Sequence, residues 1–206
     1  MAERNAPRQG DLFSPTIGAG ALSPEALPLQ EHQLREWQQR LLEFQESRFA
    51  GAAQGRTLSA GQMDLFDGGV IGAAATVQRL DPLALAPQHL QFWRWPEAAN
   101  SGAALYFVLD RPPHISGHLL LYVGETAQAD RRWKGEHDCK SYLAAYGEAL
   151  QQVGLGSQLS IRFWSDAPRP VRERRGLEQA LIRHWLPPFN KETRGRWATP
   201  FTADPD

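Results

Sequence analysis

Two tyrosines, one arginine and one glutamate are the side chains in this sequence whose types and spacing could do chemistry. Tyr106 and Tyr122 each lie in an apolar, strand-like segment, Arg132 follows the second segment, and Glu178 lies much later in a helix-like segment. Hydrolysis of a phosphodiester needs an activated water, a cation that neutralises charge growing on the phosphoryl oxygens, and a group that stabilises the leaving oxygen. The four side chains are of the types that could meet these needs.

Each of these side chains has a role that follows from its chemistry. A lone carboxylate on a helix can hold one Mg²⁺ or Mn²⁺ while water and phosphate complete the shell, so we predict Glu178 as the ligand of one divalent cation. The planar guanidinium of Arg132 suits a non-bridging phosphate oxygen. His137 could share a proton transfer, because imidazole titrates near neutral pH. His114 and His118 carry no ligand pattern. His184 is six residues past Glu178 and so lies off the helical face of the glutamate, which indicates a structural role.

The order of these residues resembles the GIY-YIG nuclease family. Tyr122-Val123-Gly124 is similar to the second signature tripeptide, whereas Ala104-Leu105-Tyr106 stands where the family has Gly-Ile-Tyr and keeps only the tyrosine. Arg132 lies eight residues after the glycine, and Glu178 and Asn190 are 12 residues apart, as in bacterial excision-repair incision subunits. The resemblance covers residues from about 102 to 197.

The resemblance implies further roles for the matched residues. It assigns Tyr106 as candidate general base and Tyr122 as its hydrogen-bonding neighbour. It makes Gly124 a structural element of the tripeptide, and Asn190 the residue that ties the glutamate helix to the sheet. The expected substrate is DNA.

Cations cluster on both sides of the expected cleft. Residues 1 to 99 hold 8 Lys and Arg against 11 Asp and Glu, whereas residues 100 to 206 hold 14 against 12, so the second half is the basic one. Such clusters suit phosphate contacts, although arginines on a helix surface are more often only solvated. The predicted substrate-binding residues are Arg131, Lys134, Arg172, Arg174 and Arg175.

A second pattern, Gln-x-Asp-Leu-Phe, occurs twice before the nuclease-like region. It resembles the peptide by which bacterial polymerases and mismatch-repair proteins bind the DNA sliding clamp. Leu and Phe would fill an apolar pocket while Gln makes a hydrogen bond at its rim, and the alternative is a patch that folds back on the chain's own domain. The predicted partner-binding residues are Gln9, Asp11, Leu12 and Phe13 in the first copy, and Gln62, Asp64, Leu65 and Phe66 in the second.

Hydrophobic periodicity predicts an α+β fold with an N-terminal extension. Strands near 104–110, 119–125 and 158–165 and helices over 128–152 and 172–186 predict a small three-stranded, mostly antiparallel sheet flanked by helices. The predicted units are a disordered tail over 1–22, an amphipathic helix over 23–49, a flexible linker over 50–79 and a nuclease-like domain over 80–206. The apolar stripe of the helix must pack on that domain or on a second copy in a homodimer.

Composition excludes several classes of protein. The single cysteine, Cys139, excludes an intramolecular disulfide framework, and no Cys and His residues have zinc-site spacing. No apolar run is long enough to span a bilayer or to serve as a signal peptide, so we expect a cytoplasmic protein that makes no membrane contact.

These observations lead to one expected function and two alternatives. The expectation is a metal-dependent DNA endonuclease that is recruited to the sliding clamp in DNA repair or replication maintenance. The first alternative is a catalytically inactive clamp-binding adaptor, for which the Ala104-Leu105 departure is the sequence hint. The second is a restriction-type or mobile-element nuclease, but no sequence-reading module is recognisable.

Overall fold

The computed structural model describes residues 29–59, 70–94, 102–134 and 138–199. Both Gln-x-Asp-Leu-Phe peptides and His137 lie outside these residues, so their predicted roles stay predictions. The described helices are α1 Glu31–Ser59, α2 Val70–Arg79, α3 Ala129–Arg132, α4 Asp138–Gln152 and α5 Val171–Trp185, and the strands are β1 Ala104–Asp110, β2 Leu119–Thr126 and β3 Ser160–Trp164. Short 3₁₀ turns occupy Pro82–Ala84, Phe92–Arg94 and Arg194–Trp197.

The three strands form one sheet in the order β2-β1-β3, and both neighbouring pairs are antiparallel. This confirms the predicted α+β class with a three-stranded antiparallel sheet flanked by helices. The segment predicted as one helix over 128–152 contains two helices, because α3 ends at Arg132 and Trp133 begins a turn. Among the described residues, no helix combines the length and apolar character that crossing a membrane requires.

Strand β1 is the centre of the fold, and all seven of its residues are buried. Alternate side chains of a strand point to opposite faces, so β1 contributes to two apolar clusters. Tyr106 and Val108 face a cluster that includes α4 and the first half of α1. Leu105, Phe107 and Leu109 face a second cluster that includes α5 and the second half of α1. Helix α1 therefore passes from one side of the sheet to the other.

Helix α1 packs on its own domain, which is one of the two arrangements its apolar stripe allowed. Trp37 packs against Phe189 and Tyr146, with ring centroids 6.4 Å and 5.9 Å apart. The helix continues to Ser59, ten residues past the predicted end. Phe49 packs at a tilted angle on Trp185, with ring centroids 4.6 Å apart, and Ala52 is buried in the same cluster, so tertiary contacts with α5 extend past the predicted end. The stripe is thus covered without a second copy of the chain.

The predicted linker is also partly helical. Val70–Arg79 form α2, which contacts α1 and α5 and buries Val77 in the second cluster. The Gly/Ala/Ser-rich composition favours a flexible linker, but alanine is the best helix former and tertiary contact adds to that preference. Further along, Phe92 packs edge-to-face on Phe163 at 5.0 Å, whereas Trp95 lies outside the described residues.

Strand β2 lies at one side of the sheet, and a helix side chain covers part of its outer edge. Gln45 of α1 accepts a hydrogen bond from the Leu120 amide at 2.8 Å and donates to the Leu120 carbonyl at 3.0 Å. Its Nε2 also donates to the carbonyl of Trp185, 3.2 Å away, at the end of α5. One fully buried amide therefore joins α1, β2 and α5.

We predict that Gln45→Ala destabilises the fold because it leaves the buried amide and carbonyl of Leu120 without partners. The expected loss in the free energy of unfolding is about 2–4 kcal/mol, measured by urea denaturation. Gln39→Ala is the matched control, since Gln39 is exposed on the same helix and its side chain donates a hydrogen bond to the exposed Glu43. Its expected effect is below about 0.5 kcal/mol. Equal urea concentrations at the midpoint of unfolding for the two variants would contradict the bridging role of Gln45.

Candidate active site

Tyr106 and Tyr122 lie side by side on one face of the sheet. Their rings are stacked, with centroids 5.9 Å apart and planes 25° apart. Trp133 packs edge-on against Tyr106 at 6.1 Å, so Tyr106 is fully buried, whereas Tyr122 is only partly buried. The two hydroxyls are electrostatically coupled, because each affects the pKa of the other. The phenol pair predicted from the sequence is therefore present at one end of β1 and β2.

Gly124 makes room for the Tyr106 ring. The two residues are cross-strand neighbours, and a Cβ atom built on Gly124 would lie 2.3 Å from Cζ of Tyr106 and 2.4 Å from its hydroxyl oxygen. Both distances are too short for non-bonded atoms, and the obstacle is a buried ring that cannot move aside. The glycine of the tripeptide is thus required by the position of the first tyrosine.

Arg132 reaches the phenol pair from α3. Its Nε donates a hydrogen bond to the Tyr106 hydroxyl oxygen at 3.2 Å. Helix α3 is held in place because the Ala129 amide donates to the Gly102 carbonyl at 2.9 Å, just before β1. The hydroxyl of Thr126 accepts from the Gln128 amide at 3.0 Å and closes the turn between β2 and α3. Arg132 as a whole residue is exposed, so part of its side chain is accessible to a ligand.

Glu178 enters the same region from α5. Its Oε1 accepts a hydrogen bond from the backbone amide of Glu125 at 2.9 Å, on the outer edge of β2. Burial, and to a smaller extent the nearby charge of Glu125, raise the pKa of the Glu178 carboxyl to about 7. Arg132 is close enough to oppose this shift, and Glu178 in turn raises the pKa of Tyr122. Glu178, Arg132 and both phenols therefore share one electrostatic environment.

Both phenols are protonated at neutral pH. Burial raises the pKa of Tyr106 well above its ordinary value, and the charge of Arg132 only partly offsets that effect. Burial also raises the pKa of Tyr122, and the neighbouring Tyr106 adds to the shift. Tyr106 could act as a base only after losing this proton, which requires more positive charge nearby than Arg132 supplies alone.

Asn190 binds the backbone of β2 beside Glu178. Its Nδ2 donates to the Val123 carbonyl at 2.8 Å and its Oδ1 accepts from the Val123 amide at 3.0 Å. The preceding amide, of Phe189, donates to the Leu121 carbonyl at 3.0 Å. The segment that follows α5 is thus fastened to the strand that carries Tyr122. This is the tie between helix and sheet that the resemblance implies for Asn190.

The predicted substrate-binding cations fall into two groups. Arg174 is fully buried, its Nε lies 2.7 Å from Oε2 of Glu125, and its Nη1 donates to the carbonyls of Pro168 and Arg169. The prediction that Arg174 binds substrate is therefore wrong, because the side chain is buried and its Nε and Nη1 donate to groups inside the protein. The other four, Arg131, Lys134, Arg172 and Arg175, are exposed.

The residues present suit a cation that takes most of its ligands from water and phosphate. Within the described part of the chain, no three His, Cys, Asp or Glu side chains come together as a metal site. Among those residues Oε2 of Glu178 has no hydrogen-bond partner, and the pKa near 7 shows that added positive charge would stabilise the carboxylate. Mg²⁺ and Mn²⁺ bind in this manner, through one or two carboxylates and a substrate phosphate.

A second polar cluster lies at the other end of β1. Asp110 accepts hydrogen bonds from the Tyr146 hydroxyl at 2.8 Å and the Gln158 amide at 2.7 Å. The Nε2 of Gln38 donates to the Tyr146 hydroxyl oxygen, and the Oε1 of Gln38 lies 2.8 Å from Nε2 of His114. His114 also lines an open groove of about 520 Å³ beside α1. None of the predicted catalytic residues lines this groove, so it is separate from the site around Glu178.

Sequence reasoning missed two residues that shape the site. Glu125 contacts Glu178 through its backbone and two arginines through its side chain, and Trp133 covers Tyr106. A carboxylate directly after the Tyr-Val-Gly tripeptide was a visible signal for Glu125. Trp133 gave no signal, because the local pattern predicts a continuous helix through this position.

Comparison of the chain with protein-family models, with curated proteins and with solved structures finds no match.

We predict that Gly124→Ala disrupts the phenol pair, because the new methyl group would overlap the Tyr106 ring. The expected loss in the free energy of unfolding is about 1–3 kcal/mol, with a changed near-ultraviolet circular dichroism spectrum. Gly147→Ala in α4 is the control, since a Cβ atom built there would meet no neighbouring group within 4 Å, and it should stabilise the helix by roughly 0.5–1 kcal/mol. A Gly124→Ala variant as stable as the parent would contradict the packing argument.

Proposed function

We propose that this protein is a metal-dependent endonuclease of the GIY-YIG type that hydrolyses phosphodiester bonds in DNA. The observation that supports the proposal is that Arg132 binds the stacked phenols while Glu178, held at the edge of β2, is electrostatically coupled to Arg132 and Tyr122; the four residues come from four different elements. Carboxylates and arginines on helix surfaces are ordinarily solvated, and nothing about packing requires these to meet beside buried tyrosines. Their meeting is what phosphodiester hydrolysis would need.

Each side chain has a chemical role in this proposal. The guanidinium of Arg132 binds a non-bridging phosphate oxygen, and its Nε remains bound to Tyr106. Glu178 holds the divalent cation through its carboxylate. When bound, the cation supplies the positive charge that stabilises the phosphoryl oxygens and favours ionised groups around it. Tyr106, the candidate general base, would accept a proton from the attacking water only in its ionised form, which a bound cation would favour, and His137 stays a predicted participant in that proton transfer.

Exposed cations lie on both sides of the proposed site. Arg131 and Lys134 belong to the α3 region beside Arg132, and Arg172 and Arg175 precede Glu178 on α5. DNA carries a phosphate charge along its whole length, so cations on both sides of the cleft would bind its backbone. The departure at Ala104-Leu105 leaves the site intact, because both residues are buried in β1 and Tyr106 still reaches Arg132. This observation favours an active enzyme over the inactive adaptor.

We predict that Glu178→Ala and Arg132→Ala each abolish most of the cleavage of DNA in Mg²⁺ or Mn²⁺. The rate should fall by roughly 10³-fold for Glu178→Ala and by about 10²- to 10³-fold for Arg132→Ala, since each removes charge stabilisation of the transition state. Initial rates should be measured on nicked, flapped, branched and mispaired duplexes. Tyr106→Phe should lose about 10- to 100-fold, because it removes only a proton-carrying hydroxyl.

Glu148→Ala is the matched control, because Glu148 is an exposed carboxylate on α4. Its cleavage rate should equal that of the parent. Absence of cutting by the parent protein on every duplex, or an undiminished rate for Glu178→Ala, would refute the endonuclease proposal and leave the adaptor as the better account.

The protein is further proposed to bind the bacterial DNA sliding clamp through its two Gln-x-Asp-Leu-Phe peptides, which would place it in the cytoplasm and in DNA repair or replication maintenance. The support is the repeated pattern itself, which gives two apolar anchors within each short segment. Because the clamp is a ring of identical subunits, two tethered peptides would gain affinity through effective concentration. Recruitment would compensate for the small excess of positive charge on the nuclease-like half.

We predict that replacing Leu12, Phe13, Leu65 and Phe66 by alanine abolishes clamp binding in a pull-down with purified clamp. Replacing only one pair should weaken binding by about 10- to 100-fold if both peptides bind at once, as expected for loss of avidity. Gln9→Ala and Gln62→Ala should have smaller effects, since each removes one hydrogen bond. Unchanged binding by the fourfold variant would exclude recruitment by these peptides.

A further inference from the structure

Glu125 lies where three parts of the site meet. Its backbone amide donates to Glu178 at 2.9 Å, and its carboxylate oxygens face two consecutive arginines of α5. Oε2 lies 2.7 Å from Nε of Arg174, and Oε1 lies 3.3 Å from Nε of Arg175. The Glu125 side chain is itself only 16% exposed, so these contacts restrict its conformation. One residue thus contacts the proposed metal ligand and a pair of cations.

The two arginines that contact Glu125 differ in what remains available to a ligand. The Arg174 side chain is 1% exposed, and its Nη1 is used by the carbonyls of Pro168 and Arg169. The Arg175 side chain is 68% exposed, and within the described residues it bonds only through Nε. A guanidinium that is held by Nε can still present its two Nη groups as a fork to a phosphate.

We propose that Glu125 is a positioning residue that orients the guanidinium of Arg175 toward a backbone phosphate of the bound nucleic acid while its amide holds Glu178. This inference rests on the proposed function. Arg174 anchors one oxygen of Glu125, and the other oxygen then fixes the exposed guanidinium. Orientation of a long side chain before binding reduces the conformational entropy lost when the phosphate arrives. Arg175 therefore contributes more to binding than an unrestrained surface arginine.

Arg172 provides the comparison, because it is exposed one turn earlier on the same helix and makes no ion pair among the described residues. Binding of a short fluorescein-labelled duplex with a single-stranded flap should be measured by fluorescence anisotropy in EDTA, so that no cleavage is needed. Arg175→Ala should raise the Kd roughly fivefold in the parent, but less than about twofold in the Glu125→Gln background. Arg172→Ala should raise the Kd by the same factor in both backgrounds.

A second pair of variants keeps the test valid if Glu125→Gln fails to fold, because the buried Arg174 would lose its charged partner. Arg175→Lys retains the charge but cannot bind Glu125 and also present a fork, so its Kd should rise by about threefold. Arg172→Lys should leave the Kd unchanged. Thermal unfolding of each variant establishes that it is folded.

The outcomes separate this inference from the proposed function. If Arg175→Ala raises the Kd by the same factor in both backgrounds, or if Arg175→Lys binds the duplex like the parent, the role of Glu125 is overturned and the endonuclease proposal stands. A parent protein that does not bind the duplex at all would contradict both. A larger effect of Arg175→Ala in the parent than in the Glu125→Gln background, together with equal effects of Arg172→Ala in both backgrounds, supports orientation by Glu125.

Discussion

The outer edge of β2 has no strand beside it in the described sheet, yet its backbone groups are hydrogen-bonded from Leu120 to Glu125. Unpaired backbone amides and carbonyls on a strand edge cost free energy when they are buried, and they can pair with another chain when they are exposed. Here the partners come from three sources: Gln45 of α1, the segment containing Asn190, and Glu178 of α5. These hydrogen bonds fix α1 and α5 to β2. The positions of the other residues of the site depend on this attachment.

The same hydrogen bonds place a carboxylate where chemistry could occur. Glu178 satisfies the last amide of this edge with one oxygen, and this bond holds its carboxylate beside Arg132 and the phenols. Burial and the nearby Glu125 raise its pKa to about 7, so the fold stabilises the carboxylate less than water does. A positively charged ligand would restore that stability, which makes the residue suited to binding a cation near neutral pH.

The charges around the site are divided between structure and ligand binding. Arg174 is neighbour to Arg175 in sequence, but successive residues of a helix point in different directions. Arg174 is therefore directed into the protein toward Glu125, whereas Arg175 reaches solvent. The phenols show a similar division, because Tyr106 is buried over Gly124 while Tyr122 remains partly exposed. Each pair combines one fixed and one accessible member.

Local pattern in the sequence was sufficient for the strands β1, β2 and β3, for α5, and for the antiparallel α+β class, because apolar periodicity reflects backbone geometry within a few residues. The order and spacing of Tyr106, Arg132 and Glu178, with the resemblance that they carry, led to the prediction that these side chains act together. Only the tertiary structure decided that α1 continues to Ser59, that Arg174 is buried and that Glu125 connects the arginines to Glu178. These features depend on contacts between segments far apart in the chain. Such contacts determine which of the charged side chains that the sequence pattern places on the surface are in fact buried and paired.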